Sequence, residues 1–214
     1  MDADVTSPRE RYRAQVQAEI KQHAWGQIAT TGVSALSLKA IAKHLGMSGP
    51  ALYRYFAGRD ELVTELIRDA YRSLADAVRA AYDSGADVAG LAHVVREWAL
   101  SDPHRYFLIY GTPVPGYRAP ADTTAISNEI MTVLIDAFRK AGVPSAGSPL
   151  EAHLDGHREW VADPSVPAAV LRRALTFWTR LHGVLSLELA GHFGGMGIDP
   201  SLLFADEVDG LLRH

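Results

Sequence analysis

Residues 37–62, SLKAIAKHLGMSGPALYRYFAGRDEL, set two short apolar-patterned stretches on either side of a single glycine. Leu38, Ile41, Ala42 and Leu45 follow Ser37 at helical spacing, and Ser37 has the side chain of an N-cap. Gly46 breaks that run. Ser48 and Pro50 then have the composition of a second helix start, where a missing N–H costs nothing. Two helices joined this tightly must cross. The crossing needs a small residue in the first helix, a residue tolerant of positive φ four positions later, and an apolar plug six beyond. Ala42, Gly46 and Leu52 stand at those places, with Ile41 and Met47 as further apolar contacts. The spacing predicts a helix-turn-helix; a generic αα-hairpin is the plainer reading of the same pattern.

The flanks extend this unit. Val16, Ile20, Ala24 and Ile28 recur every four residues, which predicts a helix from Arg9 to about Thr31, stopped at Gly32. The helix opened by Ser48 is predicted to end near Ala57-Gly58, and another to run from Arg59-Asp60 to about Tyr82. If Leu52 and Phe56 face the core, Tyr53 and Tyr55 point elsewhere. Near Ser48, Arg54, Arg59 and the Lys39/Lys43 pair, two phenols suit hydrogen bonding to phosphate. Packing of either ring on a neighbouring helix is the structural alternative. Ser48, Gly49 and Pro50 would lie deepest in a DNA major groove, where Gly49 permits close approach of the backbone.

Charge is distributed to match. The chain carries −4 overall, but residues 8–60 hold eight Lys/Arg against three acids, whereas residues 61–214 hold thirteen against twenty. A basic head on an acidic body suits a chain of which only the first part meets a polyanion.

The stretch MSGPALYRYFAGRDEL, preceded by LSLKAIAKHLG, resembles the signature of the TetR family of bacterial transcriptional regulators over roughly residues 10–62. The resemblance implies that Tyr53 and Tyr55 take the family's phosphate-contacting aromatic positions. It also implies that Arg59 takes the basic position at the start of the fourth helix, where many members have lysine. The body would be a helical ligand-binding and dimerisation domain with its last two long helices paired across a two-fold axis. WTRLHG, with Trp178, His182 and Gly183, is similar to the Trp…His-Gly feature of one class of such bodies.

Beyond residue 62 the pattern stays helical, without strand-like alternation. GTPVPGYRAPAD, residues 111–122, has three prolines and is read as a loop. Two apolar stretches, about residues 168–192 and 200–213, need more partner surface than the rest of the body offers, which predicts a dimer bundle; burial within one chain is the alternative. Trp98, Tyr106, Phe107, Tyr110, Trp160, Phe177, Trp178 and His182 concentrate aromatic surface in the body. Of these, Trp98, Tyr106, Phe107, Tyr110, Trp178 and His182 are the candidates for binding a small organic effector, with plain core packing the alternative for each.

Several classes are excluded or unsupported. The absence of cysteine removes disulfides, thiolate metal sites and cysteine nucleophiles. Neither GMSGP nor GVSAL forms a nucleophile elbow, GGMGIDP is not a dinucleotide fingerprint, and His153 and His157 lack a glutamate partner for a metal site. No enzyme activity, metal or cofactor is expected. The N-terminal MDADVTSPRERYRAQ lacks the apolar core of a signal peptide, and no run approaches the ~18 apolar residues of a span, so a cytoplasmic protein without a membrane partner is expected.

The expected fold is all-α, with a three-helix helix-turn-helix DNA-binding domain over residues 9–58 and a larger helical effector-binding and dimerisation domain over 59–214. The expected DNA-binding set is Ser37, Lys39, Lys43, Ser48, Gly49, Pro50, Tyr53, Arg54, Tyr55 and Arg59. The expected function is a homodimeric repressor that binds double-stranded DNA at a palindromic operator and is released by a small organic effector. A helical binding or scaffolding protein without operator binding is the alternative.

Overall fold

The computed structural model describes residues 7–111, 117 and 120–213. Among them are ten α-helices and no strand: α1 (Pro8–Thr31), α2 (Leu38–His44), α3 (Gly49–Leu52), α4 (Arg59–Asp83), α5 (Val88–Ser101), α6 (Pro103–Tyr110), α7 (Ala121–Ala141), α8 (Pro149–Asp155), α9 (Ala168–Leu189) and α10 (Pro200–Arg213). The expected all-α class holds. Most of the proline-rich loop read over 111–122 lies outside the described residues, as do residues 1–6.

The contacts divide the chain into two compact units. A head unit takes its described residues from Met1–Asp69 and Phe107–Pro120, and a body unit takes Ala70–Tyr106 and Ala121–His214. The division falls within α4. In the head, Tyr117 returns from a distant part of the sequence to place its hydroxyl 2.9 Å from Thr64 Oγ1, which itself donates to the Asp60 carbonyl at 2.8 Å.

Local signals explain the head's helices. Ser7 and Glu10 form a reciprocal capping box at the start of α1, and Ser37 and Ser48 cap α2 and α3 by accepting from the N–H groups of Ala40 and Ala51. At the end of α2, Gly46 adopts φ +65°, Met47 N–H donates to the Ala42 carbonyl at 2.8 Å and Gly46 N–H to that of Lys43 at 3.3 Å. This double closure is a Schellman motif, and it requires the left-handed residue that the spacing predicted. Ile20, Ala24, Ile41, Ala42, Leu52, Phe56, Leu62 and Leu66 are buried beneath it.

One boundary differs from expectation. The third helix stops at Leu52 rather than near Ala57, and residues 53–55 form turns. Arg54 and Tyr55 N–H groups bond three residues back, to Ala51 and Leu52, so the chain tightens and reuses carbonyls that a longer helix would pair four residues on. Phe56 nonetheless stays in the core.

In the body, α9 packs against α7, α8 and α10, while α5 packs against α7, α9 and α10. Buried or half-buried polar ties fasten these contacts. Arg96 on α5 makes a forked ion pair with Glu188 on α9, and its guanidinium lies 5.4 Å from the centre of the Phe204 ring on α10. Arg173 on α9 donates to the Leu211 carbonyl at 2.9 Å. Glu151 accepts from Ser145, Arg172 and the N–H groups of Ala146 and Gly147, and these bonds, that of Ser145 first, hold its carboxyl down at about 2. No helix among the described residues is long and apolar enough to cross a membrane.

Candidate nucleic-acid interface

The helix-turn-helix separates an apolar inside from a polar outside along two short helices. Ile41 and Leu52 are fully buried, whereas Lys39, Lys43, Ser48, Gly49, Pro50, Tyr53 and Arg54 are exposed on the other side of the same elements. Lys39 and Lys43 are one turn apart on α2. Tyr53 and Arg54 follow in the turns that close α3, so the exposed surface of this stretch begins without polar side chains and ends with a phenol and a guanidinium. Tyr53 is 56% exposed.

Tyr55 and Arg59 are placed differently. The Tyr55 ring is half-buried beneath Arg13 of α1, whose guanidinium lies 5.5 Å from the ring centre and donates to the Arg54 carbonyl at 3.2 Å. Arg13 therefore braces the turn that follows α3 and adds a cation beside it. Arg59 donates to the Val33 carbonyl at 2.8 Å and pairs with Asp60 at 3.4 Å, tying the start of α4 to the 3₁₀ turn Val33–Ala35. Ser37 is half-buried, its backbone held from α1 by Gln27, which accepts the Ser37 N–H at 2.9 Å. Sequence reasoning missed Arg13 and Gln27 because each acts on a residue ten or more positions away, with no periodic signal to mark it.

The aromatic candidates separate into the two units. Tyr106, Trp178 and His182 meet in the body: the Tyr106 hydroxyl lies 3.0 Å from His182 Nδ1 and 2.8 Å from Ser186 Oγ, and the Trp178 and His182 rings meet edge-on at 4.1 Å. Trp98, also in the body and buried, donates its indole N–H to Ser73 Oγ at 3.1 Å. Phe107 and Tyr110 belong to the segment assigned to the head, and both are half-buried. Phe177 is a core residue packed edge-on against Phe138, while the Trp160 indole donates to His157. His153 and His157 stack at the end of α8, with a bond between His157 Nδ1 and the His153 carbonyl. Among the described residues no group of side chains is arranged to hold a metal ion.

Burial holds His182 down at about 4, from an ordinary value of 6.5. An unfolded chain takes up this proton as pH falls through 6.5, whereas the folded chain does not until about 4. The contribution is thus complete above 6.5 and lost progressively between 6.5 and 4, on the order of 3 kcal/mol in all. His182→Gln is expected to flatten the fall of melting temperature across that pH window, whatever its effect at neutral pH. An unchanged slope would remove His182 as the group responsible.

Comparison with known proteins bears on both units. Residues 20–66 match the family model described as bacterial regulatory proteins, tetR family, and residues 88–211 match that of a tetracyclin repressor-like C-terminal domain. The HTH-type transcriptional regulator Rv1816 of Mycobacterium tuberculosis is 36% identical over 209 residues, covering 90% of this chain and 88% of that protein. The crystal structure of SCO4313 superposes with a TM-score of 0.91 at 65% identity, over 97% of this chain and 100% of the other. A bacterial regulatory protein in the tetR family from Rhodococcus RHA1 shares the fold at a TM-score of 0.61 and 17% identity, over 93% of this chain and 96% of that one.

Proposed function

The chain belongs to the TetR family of bacterial transcriptional regulators, whose members are not enzymes, and on that footing we propose that it is a dimeric repressor released from a palindromic operator by a small organic effector. The observation that carries the DNA side is the exposed face of Lys39, Lys43, Tyr53 and Arg54 over a buried Ile41 and Leu52. Lys39, Lys43, Tyr53 and Arg59 hold phosphates, with Arg13 added to the set and Tyr55 offering its hydroxyl from under it. Ser37 starts α2 against the backbone, and Ser48, Gly49 and Pro50 lead α3 into the major groove.

One such helix reads few base pairs. A two-fold pair reads a palindrome. Support for pairing through α9 and α10 comes from apolar side chains left in solvent along and between them, among them Leu187, Leu202 and Leu212, with Leu202 69% exposed. An effector is assigned to the body near Tyr106, Trp178 and His182, with Trp98 as a further apolar wall. It weakens operator binding only by its differential affinity for a dimer whose reading helices are wrongly spaced.

The test is a gel shift of the DNA upstream of the protein's own gene at graded salt, with sedimentation of the free protein. A salt-dependent shift by a dimer is expected, and Tyr53→Phe is expected to weaken it several-fold while sedimentation is unchanged. A monomer in solution, or no shift of this or any randomised duplex, overturns the reading.

A further inference from the structure

Within the body unit, the carboxyl end of α4, the start of α5 and the end of α7 meet around a hollow of about 320 Å³. The link from α4 to α5 is short and closed. Gly85 adopts φ +94°, its N–H donates to the Tyr82 carbonyl at 2.9 Å, and Ala86 N–H donates to that of Ala81 at 3.0 Å, so Tyr82 and Asp87 stand in a fixed relation. Gly90 serves the same corner. A Cβ there would lie 3.1 Å from the Ala86 Cβ and 3.4 Å from Asp87 Oδ1, so this position in the first turn of α5 takes glycine, a poor helix former, to keep both in place.

Two charged side chains line the hollow, and they are of opposite sign. Lys140 Nζ lies 4.3 Å from the centre of the Tyr82 ring, a contact that positions the ammonium and leaves its N–H groups to an acceptor. Asp87 caps α5, with Oδ1 accepting the Gly90 N–H at 2.8 Å, and its Oδ2 accepts from no donor among the described residues. Among those residues neither Lys140 nor Asp87 is in an ion pair, with the other or with a third group. Exposed or half-buried carbon of Tyr82, Ala86 and Ala141 borders the same space, over a closed floor of Val88 and Ala137. The volume is at the lower end of ligand pockets, which suits a small molecule.

We infer that this hollow binds a free α-amino acid with an apolar side chain, its carboxylate on Lys140, its ammonium on Asp87, and its side chain against Tyr82, Ala86 and Ala141. A simple organic anion meets repulsion from Asp87, and a simple amine meets it from Lys140. Only a molecule carrying both charges satisfies both groups. The site shares no residue with Tyr106, Trp178 and His182, and binding here is measured without DNA.

The test is a ligand-observed NMR titration of the full chain with L-leucine, which is expected to saturate with a Kd on the order of 1 mM. Two probes of the same carbon skeleton each lack one charge: 4-methylpentanoate has no ammonium, and 3-methylbutylamine has no carboxylate. Each is expected to bind about threefold to tenfold more weakly than L-leucine. Lys140→Met removes the carboxylate's partner and is expected to erase the preference for L-leucine over 3-methylbutylamine. Asp87→Asn keeps a capping oxygen for α5 and is expected to erase the preference over 4-methylpentanoate. Both variants are expected to keep the parent's circular dichroism spectrum. The inference is overturned if L-leucine shows no saturation up to about 10 mM, if all three probes bind alike, or if both variants keep the parent's preferences.

Discussion

Phe56→Ala is expected to lower the stability of the head by about 3–5 kcal/mol and to abolish operator binding with it. The ring is 1% exposed and comes immediately after the turns that close α3, so its loss opens a cavity in the core of the head. The cost has two parts: the transfer of the ring's apolar surface and the hollow left behind, which a short helix between two turns cannot collapse to fill. Phe56→Leu keeps most of the volume and should recover most of the stability. Denaturant unfolding followed by far-ultraviolet circular dichroism measures both variants. A loss under about 1 kcal/mol for the alanine variant would mean that Leu52 alone seats the helix.

The second large effect is on affinity rather than stability. Replacing Lys39 and Lys43 together by alanine removes two exposed cations from successive turns of α2. Each counterion-releasing contact contributes about one unit to the slope of log affinity against log salt, so the slope should fall by about 2 for each bound head. At about 0.1 M salt, affinity should drop on the order of a hundredfold for each bound head, to a similar degree on every duplex sequence. Stability should change by less than about 0.5 kcal/mol, since neither side chain is buried. Titrations by fluorescence anisotropy over a salt series give both numbers, and an unchanged slope would place α2 away from the phosphates.

What could be read from the sequence was what neighbouring residues decide among themselves. Ser37, Gly46 and Ser48 act within a few positions of their own backbones, so spacing alone located the cap, the turn and the next start. The inward facing of Leu52 and Phe56 followed from one helical turn of separation, and it survived the early end of α3. Interactions across long stretches of chain were invisible. Nothing local marks Arg13 as the brace over Tyr55, Gln27 as the holder of Ser37, or Arg96 as the partner of Glu188, since residue type at one position carries no address for the other. Arg59 shows the same limit from the other side. Its charge suggested phosphate, and only the fold discloses the Val33 carbonyl at 2.8 Å that also claims it.

The head is not one uninterrupted length of chain. Thr64 receives the hydroxyl of Tyr117 from a segment that begins within α6, after α5 has been made. On a ribosome, the amino-terminal helices emerge first but await a late-arriving piece. The DNA-reading unit is therefore completed only once more than half of the polypeptide has been synthesised. A nascent or prematurely terminated chain that already contains every residue of the helix-turn-helix still lacks part of its support, which ties the assembly of the head to translation well past α5.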